Sequence, residues 1–331
     1  MFDERTLQAM WYGGRAPSLW LRALSLLFGA LGGLRRRLYA ARLLPRLLLP
    51  VPVVVVGNIT VGGTGKTPLT IALVEALRER GFKPGVVSRG HGGSARAPML
   101  LDAGTPPQIA GDEACLIRRA TQAPVSIGRD RAAAARLLLA RGDVDVIVAD
   151  DGLQHYRLHR DVEICVIDGE RRFGNGRLLP AGPLREPAVR LAGVEFRACN
   201  GGTAQPGEVT MRLRGDTAVA LSDSTRVRPL GAFAGQRVHA VAGIGNPRRF
   251  FAQLRASGID VVEHPFPDHH AFAASDLAFG DDAPVLMTEK DAVKCTDFAQ
   301  AAWWSVPVRA ELPAQFFDAV VARIANPARP R

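Results

Sequence analysis

Lysine is almost missing from this chain. Of 42 basic side chains only Lys66, Lys83, Lys290 and Lys294 are lysines, so arginine carries nearly all of a net charge of +10. Cysteine is scarce too: Cys115, Cys165, Cys199 and Cys295 stand far apart with no C-x-x-C pair. That excludes a disulfide scaffold, offers no zinc or redox motif, and makes a reducing cytosol the default. No apolar run reaches the ~20 residues a bilayer span needs, and a mean hydropathy of +0.04 excludes a polytopic membrane protein. Acidic residues are absent from position 5 to position 74. What is present is a 331-residue chain with 47% hydrophobic residues, 34 glycines and 23 prolines. Disorder is thereby excluded, and about two domains with a well-buried core are expected.

The first 50 residues hold eight arginines against Asp3 and Glu4, which is +6 of the total +10. Within them residues 23–34 (ALSLLFGALGGL) are apolar and are followed at once by Arg35, Arg36 and Arg37. Twelve residues are too few to span a membrane. The acids in the leader argue against a signal peptide. The expected structure is a basic amphipathic helix at a membrane surface, arginines toward anionic headgroups and Trp20, Leu24, Leu27, Phe28 and Leu31 in the acyl boundary. A helix packed on the core with a solvated arginine face is the competing expectation. No basic patch interleaved with aromatics is present, so a nucleic-acid partner is not expected.

After Pro50 the pattern alternates strand, loop and helix. The run at 53–56 is wholly β-branched, as in a strand buried on both faces, and 68–80 reads as its crossover helix. Further strands are expected at 85–88, 124–127, 144–149 and 163–167, with helices at 112–121 and 130–141. Together these make an α/β domain with a parallel sheet. Residues 171–207 read as loop, and 209–214 with 217–221 as a hairpin around Gly215-Asp216. A second α/β unit follows, with strands at 238–242, 260–263 and 285–288 and helices at 247–257 and 313–324. The expected division is a membrane-association segment (1–50), a core (51–207), a hairpin linker (208–236) and a smaller lid (237–331).

The segment GNITVGGTGKTP, residues 57–68, lies between the first strand and its helix. Gly62, Gly63, Thr64 and Gly65 would turn backbone N–H groups around phosphate oxygens. Lys66 would reach the β/γ-phosphates and Thr67 would offer a hydroxyl to Mg²⁺. The general phosphate-loop pattern wants Gly at position 60, where this chain has Thr60. A compact ammonium in a chain that otherwise uses arginine fits a phosphate cradle. The strand at 144–149 ends in Asp150 and Asp151, so two carboxylates stand where α/β sheets bind ligands, and either could hold Mg²⁺ opposite Thr67. Asp112, in a Gly-Asp-Glu that opens a helix, and His269 or His270, in FPDHH, are candidates for taking a hydroxyl proton. Spacing alone does not show that these two segments meet.

GNITVGGTGKTP, VVSRGHGG, GDE, DDGLQH, GPLREP, FPDHH and MTEKDAVK, in that order after a basic apolar N-terminus, closely resemble the tetraacyldisaccharide 4'-kinase family over nearly the whole chain. The resemblance implies a P-loop NTPase-like α/β core with a smaller lid. It implies transfer of the γ-phosphate of ATP, with Mg²⁺, to the 4'-hydroxyl of tetraacyldisaccharide 1-phosphate at the cytoplasmic surface of a bacterial inner membrane. It also implies Lys66, Asp112, Asp151 and His269 as catalytic, with His270 as fallback. Thr67, Asp150 and Asp151 match the metal positions, and Arg89, Gln154, His155, Arg185 and Glu186 the acceptor pocket. The family usually carries an aromatic where this chain has His91. A monomer is expected. A membrane-associated switch ATPase of the MinD type is the alternative, but such proteins carry a second lysine where this chain has Val61 and a C-terminal anchor. A third reading is a kinase of a water-soluble sugar.

Overall fold

The computed structural model describes residues 4–326. Two helices come first, α1 (Glu4–Tyr12) and α2 (Leu19–Ala40). The core then runs β1 (Val53–Gly57), α3 (Lys66–Glu79), β2 (Pro84–Ser88), β3 (Met99–Leu100), α4 (Pro107–Ala110), α5 (Asp112–Thr121), β4 (Val125–Ile127), α6 (Arg131–Leu139), β5 (Val146–Asp150), β6 (Val162–Asp168), β7 (Phe196–Asn200) and β8 (Val209–Arg214). The smaller unit holds β9 (Thr217–Ala220), β10 (Val227–Pro229), β11 (Arg237–Ala242), α7 (Pro247–Ala256), β12 (Asp260–Pro265), β13 (Val285–Thr288), α8 (Glu289–Cys295) and β14 (Trp303–Val306). β15 (Arg309–Glu311) and α9 (Ala314–Ala325) end the chain.

Nine strands form the larger sheet in the order β15-β8-β7-β6-β1-β5-β2-β4-β3. β1 lies between β6 and β5 and pairs with both in parallel. Its alternate valines serve opposite faces: Val54 and Val56 enter one apolar cluster with α3 and α5, Val53 and Val55 the other with α6. That is why an unbroken β-branched run sits at the centre. β2, β5, β6 and β7 run the same way, so their carboxyl ends collect along one edge, where parallel sheets bind ligands. In the smaller sheet, ordered β10-β9-β14-β13-β11-β12, β11 to β14 are parallel and likewise gather their carboxyl-end loops.

Three expectations are corrected. Residues 209–214 and 217–221 do not form a hairpin, because β8 pairs with β7 and β15 in the large sheet while β9 pairs with β10 and β14 in the small one. Gly215 sits where the chain crosses between sheets, its Cα so close to the Pro307 carbonyl that a Cβ would lie 2.6 Å from it. The stretch 171–207 is not all loop, since it contains β7. The last segment returns to the core: β15 pairs with β8, and Phe316, Val320 and Ile324 of α9 join the cluster under the large sheet.

Helix α2 buries only Leu21, Ser25 and Tyr39. Trp20, Leu24, Leu27, Phe28 and Leu31 are 40–60% exposed. Its polarity runs along the axis as much as around it, apolar from 23 to 34 and basic from 35 to 37. Among the described residues no helix is long and apolar enough to cross a membrane.

Candidate active site

A cavity of about 970 Å³ opens between the carboxyl ends of the two sheets. Its floor is the loop from β1 into α3. Gly65 caps α3 with φ +95°, a left-handed conformation that favours glycine, and a Cβ there would lie 2.6 Å from the Asn200 amide nitrogen. Gly62 also has positive φ. Lys66, in the first turn of α3, is buried, with Nζ 3.4 Å from Asn58 Oδ1 and 3.8 Å from Asp151 Oδ1. Asn58 Nδ2 donates to Thr64 Oγ1 at 3.1 Å, which ties the strand end to the loop. Thr67 lines the same floor.

The two carboxylates ending β5 face different surroundings. Asp150 is wholly buried; Oδ1 accepts from Thr70 Oγ1 at 3.0 Å while Oδ2 has no hydrogen-bond partner. Burial, helped by the charges of Glu113 and Asp151, pushes its carboxyl up to about 7. Burial acts on Asp151 too, but Lys66 and Arg185 outweigh it and bring that carboxyl down to about 2. Arg185 Nη1 reaches both Asp151 oxygens at 3.1 and 3.0 Å. Among the described residues no cluster of three His, Cys, Asp or Glu side chains could hold a metal unaided. Thr67 and Asp151 line the cavity and Asp150 does not, although its Oδ2 is unpartnered; a hydroxyl and a carboxylate there suit one hard cation whose remaining ligands are phosphate oxygens and water.

On the opposite wall the structure brings the Gly-Asp-Glu segment to FPDHH. Gly111, with φ +85°, turns the chain into α5 against the His91 carbonyl, and Asp112 follows in the buried first turn. Asp112 Oδ2 lies 3.0 Å and Oδ1 3.2 Å from His269 Nδ1. The hydrogen bond to Asp112 raises the His269 pKa above its ordinary value, against burial and the Lys290 charge. Burial alone would raise Asp112, but the bond to His269 and the Lys290 charge hold its carboxyl below the usual range. Asp112 fixes the imidazole by accepting a hydrogen bond from Nδ1–H, which leaves the Nε2 lone pair, 3.8 Å from Asp268 Oδ2, as the site for a further proton. His270 pairs instead with Asp276 at 3.0 Å. The His91 ring meets His269 edge-on, centroids 4.9 Å apart.

Lys290 was not among the expected site residues. Its Nζ lies 3.0 Å from Asp268, 3.4 Å from Glu113 and 3.8 Å from Asp112, so one ammonium joins the loop after β12 to the core helix α5. Lys294 reaches Asp112 at 4.0 Å and Asp291 at 2.8 Å. The rarity of lysine was the available signal, since three of the chain's four lysines stand in this site.

The third wall carries Gln154, Tyr156, Arg185 and Glu186. Gln154 Nε2 donates to Asn58 O at 3.0 Å and Glu186 Oε2 at 3.1 Å, and the Tyr156 hydroxyl donates to Glu186 Oε1. Arg36 of α2 reaches the same Glu186 oxygen at 3.4 Å. Arg89, Arg185, Phe28, Leu31 and Arg35 also line this cavity, so the exposed apolar helix and the phosphate loop share one space. His155 is not among the residues that line the cavity. A turn closed by its N–H on the Gly152 carbonyl carries all three residues, of which Gln154 and Tyr156 line the cavity. Burial and the charges of Arg131 and Arg160 push its imidazole down to about 4.

A family model described as tetraacyldisaccharide-1-P 4'-kinase matches residues 17–325. A tetraacyldisaccharide 4'-kinase of Xanthomonas euvesicatoria is 54% identical over 327 residues, covering 95% of this chain and 94% of the relative. One from Stenotrophomonas maltophilia is 53% identical over 325 residues, covering 95% of each. Among solved structures, the apo form of LpxK from Aquifex aeolicus in complex with ATP superposes with a TM-score of 0.78 at 27% identity, over 92% of this chain and 98% of that one.

Proposed function

The chain belongs to the tetraacyldisaccharide-1-P 4'-kinase family and is an ATP-dependent kinase of lipid A biosynthesis; from that premise we propose how its interdomain cavity divides the reaction. ATP lies with its phosphates on residues 62–67, and the 4'-hydroxyl of tetraacyldisaccharide 1-phosphate meets His269. The carrying observation is the 3.0 Å bond between His269 Nδ1 and Asp112 in the same cavity as Lys66. His269 Nε2 takes the hydroxyl proton as the oxygen attacks the γ-phosphorus, and ADP leaves with the bridging oxygen's electron pair. Asp112 carries the imidazolium that results. Lys66 and the loop N–H groups hold the phosphates. Arg89 is placed to meet the transferred group. Asp151, neutralised by Arg185 and Lys66, orders those two cations. Thr67 and Asp151 would hold Mg²⁺, which when bound offsets phosphate charge.

The acceptor is a lipid, and α2 supports its delivery. The exposed Leu24, Leu27, Phe28 and Leu31 form the side a membrane surface would cover. Arg35 and Arg36 come next along the helix, at the cavity mouth. The reading is a monomer lying peripherally on the inner membrane, with one chain supplying every residue of the site and residues 237–306 acting as the lid.

The test is an assay with Mg²⁺-ATP and tetraacyldisaccharide 1-phosphate in mixed micelles, read by mass spectrometry of the lipid. The expected product gains one phosphate and disappears with Lys66→Ala. Replacing Leu24, Leu27 and Phe28 by serine is expected to release the protein from membrane vesicles in sedimentation. Lipid-stimulated ATP hydrolysis with no lipid product would overturn the transfer reading in favour of a membrane switch, and unchanged sedimentation would overturn the role of α2.

A further inference from the structure

Two side chains to which the mechanism above gives no role grip the phosphate loop by its backbone carbonyls. β6 and β7 run parallel with Asp168 beside Asn200, so both strands end under the loop. Asn200 Nδ2 donates to the Thr64 carbonyl at 2.9 Å. Arg171 Nη2 donates to the Gly63 carbonyl at 3.1 Å. In a trans peptide the C=O and the following N–H point in opposite directions. Holding the Gly63 carbonyl outward turns the Thr64 N–H inward, and holding the Thr64 carbonyl does the same for the Gly65 N–H. Two consecutive donors of the cradle are thereby aimed before any phosphate arrives.

Arg171 is itself held on two more sides. Its Nε donates to Asp168 Oδ2 at 2.8 Å, while Asp168 Oδ1 accepts the N–H groups of Glu170 and Arg171 at 3.1 and 2.9 Å. Its guanidinium lies over the Tyr12 ring, 5.5 Å from the centroid. Tyr12 ends α1, which is fastened to the segment after β6: Trp11 Nε1 donates to Pro180 O at 3.1 Å, and Asn175 N donates to Trp11 O at 2.8 Å. One guanidinium thus touches the N-terminal helix, a strand end of the core sheet and the apex of the phosphate loop.

We propose that Arg171 is a positioning residue for the nucleotide, orienting the Gly63–Thr64 peptide toward the phosphates, and that its seat on Tyr12 couples the docking of the N-terminal helices to nucleotide affinity. This rests on reading residues 62–67 as the ATP phosphate site. A lysine cannot replace it, because one ammonium cannot hold the flat face against Tyr12 and the fork to Asp168 and Gly63 together.

The experiment uses the full chain. ADP binding is measured by calorimetry, and ATP and lipid KM in the micelle assay, for wild type, Arg171→Ala, Arg171→Lys, Tyr12→Ala, Tyr12→Phe and the double alanine variant. Arg171→Ala is expected to raise the ADP Kd and ATP KM about tenfold, the scale of one charged hydrogen bond, with lipid KM unchanged. Arg171→Lys keeps most of that loss. Tyr12→Ala shifts the same constants a few-fold and Tyr12→Phe does not. The double variant is no worse than Arg171→Ala. Unchanged nucleotide constants in both Arg171 variants would overturn the proposal, as would equal losses for ATP and lipid. Additive losses for Tyr12 and Arg171 would overturn the coupling. A wild type that binds ADP but phosphorylates nothing defeats the kinase mechanism, and calorimetry still decides Arg171.

Discussion

The two ends of the transfer are built in different ways. The phosphate end comes from one contiguous stretch of the core, residues 57–67, braced by the neighbouring strand ends. The proton end is divided: Asp112 rides on a core helix and His269 on a lid loop, 157 residues apart. A contiguous cradle takes its bracing hydrogen bonds from Asn58, Arg171 and Asn200 of the core, none of them from the smaller unit. A divided dyad exists only when the two units meet, so in the proposed mechanism the base is assembled as the smaller unit seats on the core. Placing the base on a separate body keeps water from using it while the site is open.

The largest expected effect tests that division. Asp112→Ala and His269→Ala should each lower kcat by about 10²–10⁴, the range for removing a positioned acid–base group. The double variant should be little worse than either, because the two act as one unit. ADP affinity should stay near wild type in all three. Kinetic losses that add, or an ADP affinity that falls with them, would break the comparison, since the proton end would then be supporting the phosphate end.

Lys290 sharpens it. His269 must be neutral to accept a proton, so kcat/KM should rise with pH through its pKa. The hydrogen bond that His269 Nδ1–H donates to Asp112 raises that pKa and the Lys290 charge lowers it; Asp268 and His91 also face the ring. Asp112→Asn should therefore move the acidic limb to lower pH. Lys290→Met, which removes a cation beside the imidazolium, should move it to higher pH. Limbs moving the same way in both variants would show that the limb does not report His269.

The sequence exposed these two ends unequally, for the same structural reason. Strand, glycine loop and lysine lie within a dozen residues, so the phosphate cradle was legible from local pattern alone. Spacing could not show that Asp112 meets His269, because the contact is made by the packing of two sheets; only the family resemblance pointed to it. Tertiary pairing also overrode local signals. Gly215-Asp216 between two alternating runs is a strong hairpin pattern, yet each run joins a different sheet. In DDGLQH the motif is continuous, but Gln154 lines the cavity and His155 does not, a distinction that needs the backbone. Helix α2 was legible as apolar and basic, and its exposure is visible only once the core has formed without it.

The smallest expected effect lies where the two ends touch. In the turn after β11, Gly245 approaches the loop apex so closely that a Cβ would stand 2.9 Å from the Gly63 nitrogen and 3.7 Å from Asp268 Oδ2. Gly245 does not have a left-handed backbone, so the added methyl of Gly245→Ala costs contact distance and not conformational strain. The nearest atom, the Gly63 nitrogen, is backbone and cannot swing aside, so the lid must stand off by a few tenths of an ångström. The phosphate cradle takes its bracing hydrogen bonds from the core, so ADP affinity should be unchanged. The dyad does depend on it, and a displacement of that size at the lid's edge should lower kcat several-fold, in keeping with the sensitivity of proton transfer to positioning. Arg171→Ala is expected to show the reverse pattern, a weakened nucleotide with the dyad intact. If Gly245→Ala weakens ADP and leaves kcat alone, the turn belongs to the phosphate end, and the lid serves to cover nucleotide more than to deliver His269.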